Sequence, residues 1–356
     1  MPLKSLLRNV KSSMTLYKLS KLYSLSENAD SENTLNIVYV MHTDGNLKTG
    51  GDKVIYKQSA LINQMGLKQV RSQVLHAENT DFQHQWFDHS TTFRKDTKLN
   101  PRTDFIILPE IMVVPHASLL SKLGIRYGIF VQNGYSLSIP LFISDYEALK
   151  EAYQNAEIIL SISDDTSDCL KLIFPDLASK VQRLICTVDL DKFKTDNKKE
   201  NLITYMPRKL AKHADLVNFF LRENLPKNWK LQSIHGVSET RVAEVLSKSK
   251  IFLSFSELEG LSLPPIEAAL SGNLVIGYTG EAAREYWRNP IFTEINCGDI
   301  KSFIKEILAK INVLESEELT DDFANIQTFL ANRYSKEAEI QSINKFIEQV
   351  AVLMAR

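Results

Sequence analysis

The sequence predicts an α/β protein built from two consecutive, doubly wound, parallel-sheet domains that face each other across a cleft. Three observations predict it. Short apolar or β-branched runs alternate with segments of helical period along nearly the whole chain. One polar run, Lys194–Glu200 (KTDNKKE), interrupts that alternation near the middle. The length of 356 residues exceeds what one ordinary core accommodates.

In the first half, strands are expected at Leu35–Met41, Gln69–Leu75, Phe105–Leu108, Tyr127–Gln132, Ile158–Ser161 and Gln182–Thr187. Helices are expected at Asp52–Met65, His116–Leu123, Tyr146–Gln154 and Thr166–Phe174. After the polar run come strands Leu202–Met206, Lys230–Ile234, Ile251–Phe255 and Leu274–Gly277. Helices there should fill Ala211–Glu223, Glu239–Ser247, Pro265–Leu270, Gly280–Trp287 and Ile300–Val313, with Asp321–Asn332 and Lys336–Met354 closing the chain. The expected division is 1–33 as an N-terminal segment, 34–195 and 196–335 as the two domains, and 336–356 as a helix returning to the first domain.

Net charge is −1, so no global basic field points to nucleic acid. Cys169, Cys186 and Cys297 form no C-x-x-C pair, which argues against structural zinc and a disulfide framework and fits a reducing, cytoplasmic compartment. No window reaches the roughly 18–20 apolar residues of a membrane span, and no signal peptide is read at the N-terminus. Before Glu27 the chain carries Lys4, Arg8, Lys11, Lys18 and Lys21 and no acid, while Leu3, Leu7, Val10, Met14 and Tyr17 share one helical face. Residues 1–26 therefore suit either an anionic membrane surface, on the inner face of the plasma membrane, or packing on the protein's own body or a second subunit.

The informative segment is Phe255–Arg284, FSELEGLSLPPIEAALSGNLVIGYTGEAAR. Glu259 and Glu267 have seven residues between them, Gly260, Pro264 and Pro265 included. The pattern places Glu259 in a loop after a strand and Glu267 in the first turn of the next helix. Ionised carboxylates accept hydrogen bonds only, which suits a ligand rich in hydroxyls. The amides of Gly260, Leu261, Ser262 and Leu263 can hold an anion beside them.

The string E-G-L-S-L-P-P-I-E, with A-A-L-S-G and L-V-I-G after it, resembles the E-x7-E signature of retaining GT-B glycosyltransferases, especially glycosyltransferase family four. The resemblance is closest over about 200–290 and looser over 35–195. It implies a GT-B fold of two Rossmann-like domains, a nucleotide-diphosphate sugar as co-substrate, no metal and no further cofactor. It implies that Glu259 contacts hydroxyls of the donor sugar and Glu267 the ribose. Within Tyr205–Lys209 (YMPRK), Arg208 matches the arginine placed on the donor diphosphate, and the lysine that acts with it is Lys209 or Lys212. His235, Gly236 and Val237 match the segment that holds the base through backbone groups. Thr49-Gly50-Gly51-Asp52-Lys53 matches the glycine loop near donor phosphate and acceptor. Where many relatives carry a histidine near the donor sugar, this chain has Gln132 and Asn133, with His116 as a conceivable substitute. Ser262 replaces a glycine and adds a hydroxyl expected beside the donor. Asp189-x-Asp191 sits at the domain junction and is read as structural, not as a metal-binding D-x-D. The implied acceptor is a glycan or lipid-linked glycan of bacterial surface polysaccharide. A non-catalytic GT-B subunit supporting a partner enzyme is the alternative, while a nucleotide-dependent oxidoreductase is disfavoured because no G-x-G-x-x-G follows the first strand.

Overall fold

A computed structural model describes residues 22–26, 34–46, 49–195, 198–316 and 321–356. The basic stripe of residues 1–21 lies outside the described residues. The chain divides into two compact units, the first made of Met1–Leu184 and Ile340–Arg356, the second of Ile185–Glu339. The division falls before the Lys194–Glu200 run because Val188 and Phe193 already pack into the core of the second unit.

The first unit contains, in chain order, β1 (Ser24–Leu25), β2 (Leu35–Val40), α1 (Gly50–Gln64), β3 (Val70–Leu75), β4 (Lys98–Leu99), β5 (Asp104–Pro109), α2 (Val113–Lys122), β6 (Tyr127–Val131), α3 (Tyr146–Asn155), β7 (Ile159–Ser161), α4 (Asp164–Ile173) and β8 (Val181–Arg183). Six strands form one all-parallel sheet in the order β3-β2-β5-β6-β7-β8. Strands β5 and β6 are buried along their whole length, as expected of parallel strands covered on both faces. Thr49 starts α1 through a capping box: its hydroxyl accepts from the Asp52 amide, and the Asp52 carboxylate accepts from the Thr49 amide. The small parallel pair β1–β4 is outside what the pattern predicts, since two residues carry no periodicity.

The second unit contains β9 (Leu202–Tyr205), α5 (Ala211–Leu221), β10 (Lys230–Ser233), α6 (Glu239–Lys248), β11 (Ile251–Glu259), α7 (Leu263–Leu270), β12 (Leu274–Glu281), β13 (Phe292–Glu294), α8 (Ile300–Ser316) and α9 (Asp321–Arg333). Its sheet is parallel throughout, in the order β10-β9-β11-β12-β13. The last helix, α10 (Lys336–Met354), begins in the second unit and from Ile340 onward belongs to the first.

Three expectations need correction here. The helix predicted over Gly280–Trp287 is absent: β12 continues to Glu281, and a single 3-10 turn, Ala282–Glu285, follows. The reason is backbone: Gly280 has φ +59°, and a Cβ there would lie 2.2 Å from the Glu257 carbonyl oxygen, so the chain hugs β11 instead of coiling. The strand expected to run to Thr187 stops at Arg183, because Thr187 turns to Glu339, its amide donating to Oε2 at 3.2 Å. Helix α7 starts at Leu263, two residues early, with its prolines at the first positions where a missing N–H costs nothing. None of the described helices is long and apolar enough to cross a membrane. None of the three cysteines is in a disulfide, and Cys297 is exposed.

Candidate functional site

In open parallel sheets, ligands bind outside the carboxyl ends of the strands where the strand order reverses. In the second unit the reversal lies between β9 and β11. The chain leaving β9 carries Arg208, Lys209 and, in the first turn of α5, Lys212; the chain leaving β11 carries Glu259 to Leu263. Lys209 and Glu259 meet across that point, Nζ to Oε1 at 3.1 Å. Of the two lysines that match the implied pattern, Lys209 is thus the one beside Glu259. Arg208 and Lys212 are both exposed.

Glu259 ends β11 after an irregularity between Ser256 and Glu259, so its register partner is Glu281 of β12. This bulge aims the strand end out of the ladder. Glu281 itself has φ 66° and ψ −60°. That left-handed backbone on a non-glycine residue costs about 1–3 kcal/mol and persists where the surroundings fix it. Glu281 is tied to Arg284, Oε2 to Nε at 3.1 Å, and Arg284 in turn to Glu294 at 2.8 Å.

Tyr286 organises the loop from behind. Its hydroxyl donates to the Ser262 carbonyl at 2.5 Å, and the ring is fully buried. Burial first, and then the charges of Tyr334, Glu285, Glu259 and Glu267, hold this phenol well above its usual pKa, so it stays a donor. Glu259 and Glu267 are therefore both within electrostatic reach of one buried hydroxyl. Glu267 sits in the second turn of α7, not the first as expected, because the helix begins at Leu263.

Ser262 also departs from expectation. Its side chain is buried, and Oγ donates to Ser256 Oγ at 3.1 Å; Ser256 in turn meets Ser254 at 3.1 Å. The hydroxyl added by this residue is engaged inside the fold, where it fixes the loop, while Gly260 is buried and Leu261 and Leu263 are half-buried. Tyr286→Phe is expected to lower stability by about 1–3 kcal/mol, measured by chemical denaturation, because it strands the buried Ser262 carbonyl. An unchanged midpoint would show that the loop does not depend on it.

His235, Gly236 and Val237 follow β10 and are all exposed. Ser238 then caps α6 by accepting from the Arg241 amide. Asp189 Oδ1 accepts from the Lys192 amide at 3.1 Å, and Lys192 Nζ pairs with Glu239 at 2.7 Å. Asp189 thus closes a turn through the Lys192 amide.

In the first unit the strand order reverses between β2 and β5. Gly51 and Gln132 meet here, Gln132 Nε2 donating to the Gly51 carbonyl at 3.0 Å. A Cβ on Gly51 would lie 2.5 Å from Gln132 Oε1, so glycine permits this approach, while Gly50 opens on free space. Asn133 donates its amide to Glu110 Oε1 at 3.0 Å and caps the next turn by accepting from Tyr135. Glu110 is buried, and burial pushes its carboxyl up to about 7 against the opposing hydrogen bonds from its own amide and those of Gln132 and Asn133. His116 does not replace a donor-contacting histidine. It is buried, Nδ1 bonds the Tyr23 hydroxyl at 2.7 Å, and burial lowers its pKa to about 4.

Two solved structures place this architecture. The chain is similar to Anabaena HepE in complex with UDP and glucose, with a TM-score of 0.62 at 12% identity over 88% of this chain and 99% of that one. It is likewise similar to sucrose-phosphate synthase from Thermosynechococcus elongatus, with a TM-score of 0.60 at 12% identity over 90% of this chain and 100% of that one. The fold is GT-B. Within this GT-B chain, 181 residues are 27% identical to an alpha-1,6-glucosyltransferase of Actinobacillus pleuropneumoniae serotype 7, covering 50% of this chain and 53% of that protein. The match thus spans about half the length of that curated relative. No family profile matches the chain.

Sequence reasoning missed Tyr286 and Glu281. Nothing in a tyrosine's spacing announces a bond to a loop carbonyl; the glycine at 280, ahead of Glu281, was the available signal of unusual backbone.

Proposed function

We propose that this GT-B chain is a retaining glycosyltransferase that moves a hexosyl group from a nucleotide-diphosphate sugar to a hydroxyl of a glycan or lipid-linked acceptor, in bacterial surface polysaccharide synthesis. The observation that carries the reading is the Lys209–Glu259 pair at the reversal of the second sheet, with Arg208 adjacent in sequence and the Gly260–Leu263 loop following Glu259. HepE has been captured with UDP and glucose and with UDP-glucose, which supports a nucleotide sugar as the ligand class.

The roles follow from the chemistry of the groups. Lys209 is about half exposed, so its ion pair with Glu259 contributes no more than about 0–1 kcal/mol and opens at little cost. The arriving donor takes both partners: hydroxyls of the sugar donate to Glu259, and the diphosphate accepts from Lys209 and Arg208. Glu267 receives the ribose, the Gly260, Leu261, Ser262 and Leu263 amides face the phosphates, and His235, Gly236 and Val237 line the base. Lys212 adds charge from the start of α5.

In the transfer step the anomeric C–O bond to the diphosphate breaks, and Arg208 and Lys209 take up the developing negative charge without a metal. The acceptor hydroxyl forms the new C–O bond on the same face. Its proton passes to the departing phosphate oxygen, so configuration is retained and no protein base is required.

A thermal-shift panel of nucleoside diphosphates and sugar nucleotides tests the ligand class. A ligand bound only by the folded chain at 100 times its Kd adds about 2.7 kcal/mol, several degrees in Tm. At least one nucleoside diphosphate should give this shift, and its sugar conjugate should be hydrolysed or transferred by the isolated chain. No shift with any of them removes the reading. A shift with no turnover favours the supporting-subunit alternative.

A further inference from the structure

The first unit holds a cluster that glycosyl transfer at the second unit does not use. His42 follows β2, Asp52 lies in the first turn of α1, and His84 lies in the segment after β3. One donor atom from each lies within 4.8 Å of the others. His42 Nε2 is 3.0 Å from Asp52 Oδ1, and His84 Nε2 is 3.8 Å from Asp52 Oδ2.

His84 decides the matter. It is 2% exposed, and its Nε2 has no hydrogen-bond partner among the described residues, yet it points at the Asp52 carboxylate from beyond bonding distance. A buried imidazole nitrogen left without a partner costs about 1–3 kcal/mol. It is tolerable if something fills the gap.

We propose that His42, Asp52 and His84 bind one divalent transition cation of the zinc class, with a remaining coordination position for water or an oxygen ligand. Two imidazoles and a carboxylate are the donor set that such ions select over magnesium or calcium. Donor atoms around a tetrahedral zinc stand roughly 3.3–3.6 Å apart for its usual bond lengths. The contacts to Asp52, 3.0 Å from His42 to Oδ1 and 3.8 Å from His84 to Oδ2, fall on either side of that range, each on its own carboxylate oxygen.

The backbone that presents the ligands is held from outside. His76 Nδ1 donates to the His42 carbonyl at 2.6 Å, and Tyr56 donates to His76 Nε2 at 2.6 Å. The Tyr56 oxygen also accepts from the His84 amide at 3.2 Å, and His89 Nε2 donates to the His84 carbonyl at 3.2 Å. These contacts fix the backbone that carries the two imidazoles, while the rings themselves stay open to the ion. One bond must give way. The Asp44 amide donates to His42 Nδ1 at 3.2 Å, which leaves the proton on Nε2. Loading the ion at Nε2 shifts that single proton to Nδ1, by exchange through solvent, and displaces the Asp44 amide, which is exposed.

Asp52 belongs to the glycine loop that the resemblance sets near donor phosphate and acceptor, so the two readings are told apart by readout: metal binding and the Co(II) spectrum for this site, nucleotide-induced shifts in Tm for the transfer site.

The test uses the full chain stripped with chelator, then titrated with Zn(II) or Co(II). One equivalent should bind, raise Tm, and with Co(II) give the visible absorption of a low-symmetry site. His84→Leu should weaken binding by more than about 100-fold, beyond the ~10–100-fold cost of outer-shell changes, and abolish the Co(II) spectrum. His42→Gln, on the more exposed ligand, gives the same readout should the buried variant fail to fold. His235→Ala should change neither. Absence of binding, or one-equivalent binding and spectrum retained in the His84 or His42 variant, overturns the proposal.

Discussion

Alanine at Arg208 is expected to lower sugar-transfer turnover by about 10²–10³-fold, and alanine at Glu259 by a similar factor. Arg208 is exposed at the carboxyl end of β9, so truncating it removes no core packing. In the proposed mechanism its guanidinium acts where charge develops as the diphosphate departs, so the loss should fall on kcat more than on KM for the donor. Lysine at 208 keeps the charge and loses the bidentate grip, and should recover only part of the rate. Alanine at Glu259 removes the acceptor proposed for the sugar hydroxyls and leaves Lys209 half exposed and solvated, so the fold should again tolerate it. Steady-state kinetics with circular dichroism separate rate from folding. Near wild-type turnover in both variants ends the assignment of this site.

Stability should fall by about 3 kcal/mol as pH rises from about 4.5 to above 7, and Glu110→Gln should abolish most of that fall. The sign follows from proton counting. Glu110 keeps its proton up to about pH 7 in the folded chain, against 4.5 for the free side chain. Between those values the folded state binds more protons than the unfolded one, so raising pH favours unfolding until both have lost the proton. Tyr153 is the phenol within electrostatic reach of Glu110, and its own pKa is pushed up first by burial and then by the Glu110 charge, so it remains neutral across this window. Glutamine retains an oxygen to accept from the Asn133 amide, so the loop at the end of β6 survives. Urea midpoints of both proteins from pH 5 to 8 check this; parallel curves would show that Glu110 ionises freely.

The two sheets were legible because parallel strands covered on both faces read as apolar runs, as Phe105–Leu108 and Ile251–Phe255 do. What escaped was either too short for a period, like the pairs Ser24–Leu25 and Lys98–Leu99, or governed by backbone geometry, like the turn after Gly280. The pair Glu259 and Glu267 was readable from spacing and flanking motif. The choice between Lys209 and Lys212 was not, because one precedes α5 and the other lies in its first turn, and only the folded loop shows that Lys209 meets Glu259. His42, Asp52 and His84 are scattered over two loops and a helix start, and only the adjacency of β2 and β3 gathers them.

The last helix gives the first unit an unusual birth order. Ile343, Phe346, Ile347 and Val350 are buried, and Gln182 beside β7 donates to the Ser342 carbonyl at 3.1 Å. On the ribosome these residues emerge only after the entire second unit has been made. At about 5–20 residues per second, the nascent first unit waits roughly 10–30 s with an open apolar seam before its closing piece arrives.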